Sequence, residues 1–253
     1  MWCRIIYVGL VALAAVAAWN SRATVAAETE AVKPEAEPSS YLADLREPLT
    51  AHWPDNRTVY VVCHGHSVPA GYFRTPDVRP FDSYPHLTHR AVQQRYPTAM
   101  VEFVRTAIGG ENSEQGAARF ADDVLAKKPD VVTIDYSLND RPIGLERAER
   151  AWRSMIEAAL AADVRVILLT PTPDLSADLD DADDPLNQHA GQVRRLAEEY
   201  GVGLVDSAAI FLEARDSGTA LTELMSQGNH PNRAGHELVA AALAEWFTDL
   251  ETP

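Results

Sequence analysis

The stretch Thr58-Val59-Tyr60-Val61-Val62-Cys63-His64-Gly65-His66-Ser67 decides the reading of the fold. Its apolar part, Thr58–Cys63, is short, Val-rich and continuous rather than alternating. That pattern suits a strand buried on both faces of a parallel sheet. Four further runs of the same kind follow, at Ala99–Thr106, Val131–Tyr136, Arg165–Thr170 and Gly203–Val205. Between them the period changes to three and four. Glu114–Lys127 sets Ala117, Phe120, Val124 and Leu125 on one helical face. Leu145–Ala162 does so with Ala148, Trp152, Met155, Ile156 and Leu160, and Leu186–Tyr200 with Val193, Leu196 and Ala197. Asn232–Leu250 carries Leu238, Ala241, Ala242, Leu243 and Trp246. Strands alternating with amphipathic helices predict a doubly wound α/β sandwich around a five-stranded parallel sheet with helices on both faces.

Length and composition agree with one such domain. The 253 residues are 46% hydrophobic and 23% charged, and the formal net charge is −15. So acidic a chain does not offer the basic face that nucleic-acid phosphates need. Two cysteines exclude a disulfide scaffold.

The N-terminus reads as an export signal. Met1-Trp2-Cys3-Arg4 precedes the apolar run Ile5 to Trp19 and an Ala-rich exit ending at Ala27, where cleavage is expected. The run is short for a membrane span, which needs about 20 apolar residues, although an uncleaved anchor is the alternative. Loss of residues 1–27 removes Arg4 and Arg22 and takes the net charge to −17, leaving Cys63 as the one cysteine. Residues 28–40 are acidic, Pro-containing and free of aromatics, which reads as a flexible leader, with the folded domain over residues 41–253. The expected compartment is periplasmic or extracellular, without stable membrane insertion after cleavage.

In a doubly wound sheet, ligands bind beyond the carboxyl ends of the strands, so chemistry is sought there. The first strand runs into Gly65-His66-Ser67, where a nucleophile can be presented. Pro69 stands where a G-x-S-x-G elbow has its second Gly, and alone Ser67 reads first as a helix or turn cap. The second strand ends in Ile108-Gly109-Gly110-Glu111-Asn112-Ser113, whose glycines allow close backbone approach and whose N–H groups can meet a developing oxyanion. The third ends in Ser137-Leu138-Asn139-Asp140, where Asn139 offers an amide donor. Before the last helix, His230 in Gln227-Gly228-Asn229-His230-Pro231 lies in a loop that can reach the same edge, and a neutral imidazole can take a proton from a Ser hydroxyl.

Ser67, Gly110, Asn139 and His230, in that order, resemble the SGNH hydrolases, also called the GDSL family, from about Val59 to Trp246. The resemblance implies a three-layer, flavodoxin-like sandwich and ester hydrolysis. It implies Ser67 as nucleophile, with the Ser67 N–H, Gly110 N–H and Asn139 side chain as oxyanion hole, and His230 as general base. Two positions depart from the family pattern. Gly-Asp-Ser becomes Gly65-His66-Ser67, and Gln227 stands three residues before His230, where the family has an Asp. Gln227 is therefore the candidate orienter of His230, with a backbone carbonyl near Gln227 or an acid from elsewhere as alternatives. A neutral orienter suggests a lower rate or a more alkaline optimum than a full triad.

Other features carry weaker expectations. His64 and His66, or His86 and His89, do not make a recognised metal pattern, and no metal or cofactor is expected. Asp174–Leu186 holds six Asp and reads as a solvated acidic loop at the crevice rim. Phe73–Pro85, with Phe73, Arg74, Arg79, Phe81 and Tyr84, is an irregular segment placed to set specificity. Arg141 can meet a substrate carboxylate or pair with a surface acid. The expected function is an exported serine esterase acting on small acyl esters, acetyl above all, on carbohydrates, through an acyl-enzyme; its partner is a small ester or an acylated saccharide. The alternatives are a lipase, lysophospholipase or thioesterase of the same family, a non-catalytic carbohydrate-binding module on the same scaffold, and a membrane-tethered structural protein. The oligomeric state is not legible.

Overall fold

The computed structural model describes Met1 and residues 36–248. The expected signal segment beyond Met1, and residues 28–35 of the expected leader, lie outside the described residues. Among the described residues no helix is long and apolar enough to cross a membrane.

Five parallel strands form one sheet: β1 (Thr58–Gly65), β2 (Met100–Arg105), β3 (Val131–Asp135), β4 (Arg165–Leu169) and β5 (Gly203–Val205), in the order β2-β1-β3-β4-β5. The apolar runs are continuous because both faces are covered. Along β1, Val59, Val61 and Cys63 enter one buried cluster and Val62 the other; along β4, Ile167 and Leu169 alternate with Val166 and Leu168 in the same way. The first cluster holds Tyr84, Leu87 and Val92 of the Tyr84–Arg95 helix, Phe211 of the Ser207–Asp216 helix, and Val239, Leu243, Trp246 and Phe247 of the Arg233–Thr248 helix. The second holds Trp152, Met155 and Ile156 of the Leu145–Ala161 helix with Val193 and Leu196 of the Pro185–Tyr200 helix. The fold is thus a three-layer α/β sandwich of flavodoxin-like strand order.

One expected helix is broken. Glu114–Lys127 is divided into the helices Ser113–Ala118 and Phe120–Asp123 and a 3-10 turn at Leu125–Lys127. Arg119 leaves helical geometry at the first break (φ −111, ψ 5), and its guanidinium is bound to Glu111, Asp123 and the Tyr136 hydroxyl. Phe120 and Val124 still reach the core. The Tyr84–Arg95 helix follows the irregular segment after Ser67. Before β1, helical turns from Pro38 carry Leu42, Leu45 and Leu49 into the first cluster, and the Tyr41 hydroxyl accepts the Val166 N–H at 3.0 Å.

The sheet order places a switch point between β1 and β3. After β1 the chain moves outward to β2 through the first helical layer. It then returns past β1 to β3 through the second. Connections on opposite faces leave a crevice at the carboxyl ends of these two strands.

Candidate active site

Ser67 leaves β1 at that crevice and opens the short helix Ser67–Ala70. A Cβ on Gly65 would lie 2.5 Å from the Asp135 carbonyl oxygen, so only glycine lets β1 pass this close to β3 here. The two-stranded ribbon of β6 (Met225–Gln227) and β7 (His230–Pro231) presents His230 from the other side. Ser67 and His230 are 7% and 5% exposed. His230 Nε2 stands 2.9 Å from Ser67 Oγ, and His230 Nδ1 stands 3.1 Å from the Phe73 carbonyl oxygen. A carbonyl only accepts, so Nδ1 carries the proton and Nε2 is the lone pair facing the hydroxyl.

Gln227 does not supply this contact. Its Oε1 accepts the Thr75 N–H at 2.9 Å and its Nε2 donates to Asn229 Oδ1 at 3.2 Å. The geometry instead gives orientation of His230 to a backbone carbonyl across the sequence. Phe73 belongs to a tight excursion in which Phe73 N–H donates to Asp77 O, Asp77 N–H to Arg74 O and Arg79 N–H to Gly71 O. Arg79 stacks 3.6 Å over the Phe73 ring. Gln227 and Arg74, which donates to the Ser226 carbonyl, tie this excursion to β6. The irregular segment thus forms part of the site wall.

Burial lowers the His230 pKa below its ordinary 6.5; the Phe73 carbonyl opposes this and nearby His66 adds to it. The imidazole therefore stays neutral to lower pH than a free histidine. That reverses the expectation of a more alkaline optimum: weaker support for imidazolium moves the acidic limb down, not up.

Gly110 lies at the β2 end with φ +84, a left-handed conformation in which a Cβ would touch nothing within 4 Å, so the backbone alone demands glycine. Asn139 Nδ2 donates to the Glu111 carbonyl at 2.9 Å, which binds the β3 loop to the β2 loop and leaves the amide a second N–H. Beneath them Asp140, fully buried, accepts the Ser113 N–H at 2.7 Å and the Trp152 Nε1–H at 2.7 Å. Burial raises its pKa despite these donors. Sequence reasoning gave Asp140 no role; it sits at the end of the short helix Ser137–Asp140, five residues beyond β3. Gly110, Leu138, Asn139, Arg141, Pro142 and Pro185 line an open depression of about 480 Å³.

Arg141 pairs with Asp174 at 2.6 Å, so it is engaged with an acid of the Asp174–Leu186 loop. That loop meets the His230 turn where Leu175 N–H donates to the Gly228 carbonyl at 2.7 Å. Asp178, Asp181 and Asp184 of the loop close turns by accepting backbone N–H groups, and Asp180 pairs with Arg215. His64 is spent on Thr106 and the Gly116 carbonyl, and His89 on the Val101 carbonyl. Among the described residues no group of three His, Cys, Asp or Glu could hold a metal ion. Burial pushes the Cys63 thiol up to about 12, which keeps it un-ionised.

A serine hydroxyl against a neutral imidazole, at the strand edge of a three-layer α/β sandwich, is an arrangement that can activate a serine nucleophile. The sequence profile of the GDSL-like Lipase/Acylhydrolase family matches residues 63–238, and the chain belongs to that family. It is a carboxylic ester hydrolase of the SGNH/GDSL type. Among curated proteins, an acetylxylan esterase of Geobacillus stearothermophilus is 28% identical over 163 residues, covering 60% of this chain and 74% of that protein. Among solved structures, the acetylxylan esterase Axe2 of the same organism superposes with TM-score 0.64 at 24% identity, covering 75% of this chain and 94% of that one. A two-domain esterase active on acetylated mannans gives TM-score 0.69 at 22% identity, covering 84% of this chain and 54% of that one.

Proposed function

We propose that this protein is an exported esterase that removes small acyl groups, acetyl above all, from saccharides through an acyl-enzyme on Ser67. The observation that carries this reading is the 2.9 Å contact of Ser67 Oγ with His230 Nε2, with His230 Nδ1 held by the Phe73 carbonyl.

In this reading the Ser67 oxygen attacks the ester carbonyl while its proton passes to His230 Nε2. The oxyanion of the tetrahedral intermediate is met by the Ser67 N–H, the Gly110 N–H and the second N–H of the Asn139 amide. Collapse breaks the ester C–O bond, and His230 returns the proton to the leaving sugar hydroxyl. Water then gives its proton to His230, its oxygen attacks the acyl-enzyme, and the carboxylic acid leaves as Ser67 recovers its hydrogen. No metal takes part in this scheme.

Small acyl groups are favoured by the open depression beside Asn139, in which Leu138 is the one large apolar lining residue; a long acyl chain needs an apolar groove. Saccharides are favoured by the relatives named for acetylxylan and acetylated mannans. Export rests on the signal-like residues 1–27. The test is acetate release from acetylated xylo-oligosaccharides beside octanoyl and palmitoyl esters, together with fluorophosphonate labelling of the parent and of Ser67→Ala. Acetate release and labelling in the parent alone support the reading. Faster cleavage of long-chain esters would move it to a lipase, and a folded parent that neither labels nor hydrolyses would be a binding module.

A further inference from the structure

Ser67 stands between two imidazoles. His230 takes the near position, and His66 Nδ1 lies 3.4 Å from the same Oγ. His66 is 1% exposed and is not used by the scheme above. Its Nδ1 also accepts the Val68 N–H at 3.2 Å, closing the first turn after β1. A nitrogen that accepts carries no proton, so the His66 proton sits on Nε2. Nε2 in turn lies 3.2 Å from Asp135 Oδ1, close but off the line of a directed hydrogen bond, and it has no other partner. Asp135 is 3% exposed. Its second oxygen accepts the Tyr84 hydroxyl at 3.1 Å, and its backbone carbonyl accepts the His66 N–H at 3.2 Å. The acid missing at Gln227 thus has a counterpart 69 residues from His66 in sequence, at the end of β3, aimed at the other imidazole.

We propose that Asp135 is a positioning residue for the nucleophile: its carboxylate keeps His66 in the Nε2–H form, so that Nδ1 stays an acceptor for the Val68 N–H and closes the turn that holds Ser67 in front of His230. The tautomer stands on this geometry alone; its effect on catalysis rests on the esterase reading.

Asp135→Asn separates this role from simple packing. Tyr84 still needs an acceptor, so the amide oxygen turns to Tyr84 and the amide NH₂ turns to His66 Nε2. Two donors cannot face each other, and the His66 proton is driven to Nδ1, where it opposes the Val68 N–H and opens the turn that places Ser67. In His66→Asn there is no tautomer to invert, and the side-chain oxygen introduced there can take over the Val68 cap.

The experiment measures p-nitrophenyl acetate hydrolysis for the parent, Asp135→Asn, His66→Asn and the double variant, with ¹⁵N NMR of the histidine side chains. Asp135→Asn is expected to lower kcat at least about 30-fold with KM little changed, short of the ~10⁴-fold known for inverting the tautomer of a base itself. On the His66→Asn background the same change is expected to cost less than about 3-fold, a coupling that independent sites do not show. NMR is expected to find His66 protonated at Nε2 in the parent and at Nδ1 in Asp135→Asn. Equal losses in both backgrounds, or His66 unchanged at Nε2 in Asp135→Asn, would overturn the proposal. A parent without esterase activity would count against the esterase reading, and the NMR result would still decide the tautomer.

Discussion

Replacing Gln227 by Ala asks whether that residue orients His230 itself or only holds the loop that does. The structure favours the second role: the amide oxygen accepts the Thr75 N–H at 2.9 Å, two residues beyond the Phe73 carbonyl on His230 Nδ1. A neutral hydrogen bond of this kind contributes about 0.5–1.5 kcal/mol net. It is one of several ties, since Arg74 to Ser226, Arg79 to Gly71 and Phe73 to Asp77 remain. If its whole contribution is lost from the oriented state, the oriented fraction and kcat fall about 2- to 13-fold. KM should hardly move, because the loop acts on the base rather than on substrate. Gln227→Glu keeps an acceptor of the same reach and should retain most of the rate at neutral pH. The assay is steady-state hydrolysis of p-nitrophenyl acetate by the parent and both variants. A fall approaching the ~10⁴-fold seen when a triad loses its orienting acid would refute this reasoning and make Gln227 the direct orienter. An unchanged kcat in Gln227→Ala would equally refute it, because the latch would then do nothing.

Three further outcomes follow from the same geometry. The acidic limb of kcat/KM should lie below pH 6.5, because burial lowers the His230 pKa and the neutral form is the base; a limb above 6.5 contradicts this. Asn139→Ala should cost about 10²- to 10³-fold in kcat, as for other oxyanion donors, with the fold retained because its Glu111 contact is a single bond; a loss under 10-fold would remove Asn139 from that role. Stability should be full above pH 6.5 and decline as pH falls toward 4. His64 and His189, with pKa values lowered by burial to about 4, and His236, lowered to about 3, take up protons more readily in the unfolded chain. A melting temperature constant from pH 7 to pH 4.5 would contradict their buried neutral state.

The sheet was legible because its strands are buried on both sides. Val59, Val61, Val62, Ile167 and Leu168 are all fully buried, and an uninterrupted apolar run is the one signature that situation leaves. Strand limits shifted by a residue or two, as at His64 and Gly65, which continue β1 although neither is apolar. The 114–127 segment showed the limit of periodicity. Its apolar spacing correctly put Phe120 and Val124 in the core. It carried no sign that Arg119 would be drawn out of helical geometry by acids and a tyrosine hydroxyl from elsewhere. The Tyr84–Arg95 helix was faint for a different reason: its buried side includes Thr88 among Leu87 and Val92, so its apolar stripe is thin.

At the site, residue types and their order drew attention to Ser67, Gly110, Asn139 and His230, since side chains and glycines leave marks in a sequence. The group on His230 Nδ1 leaves none. Any residue supplies a carbonyl, and Phe73 reaches the imidazole only through the folded path of residues 71–79. The His66–Asp135 contact was hidden likewise, since it joins the ends of two strands that become neighbours only in the sheet.

The central claim is that Ser67 and His230 act as one nucleophile–base unit oriented by a backbone carbonyl. Its most direct test is p-nitrophenyl acetate hydrolysis by the parent beside Ser67→Ala, His230→Ala and the double variant, each confirmed as folded. The account predicts a measurable parent rate, a large loss in each single variant, and no further loss in the double variant, because residues that act as a unit are not additive. Activity retained by either single variant, or losses that multiply in the double, would contradict it.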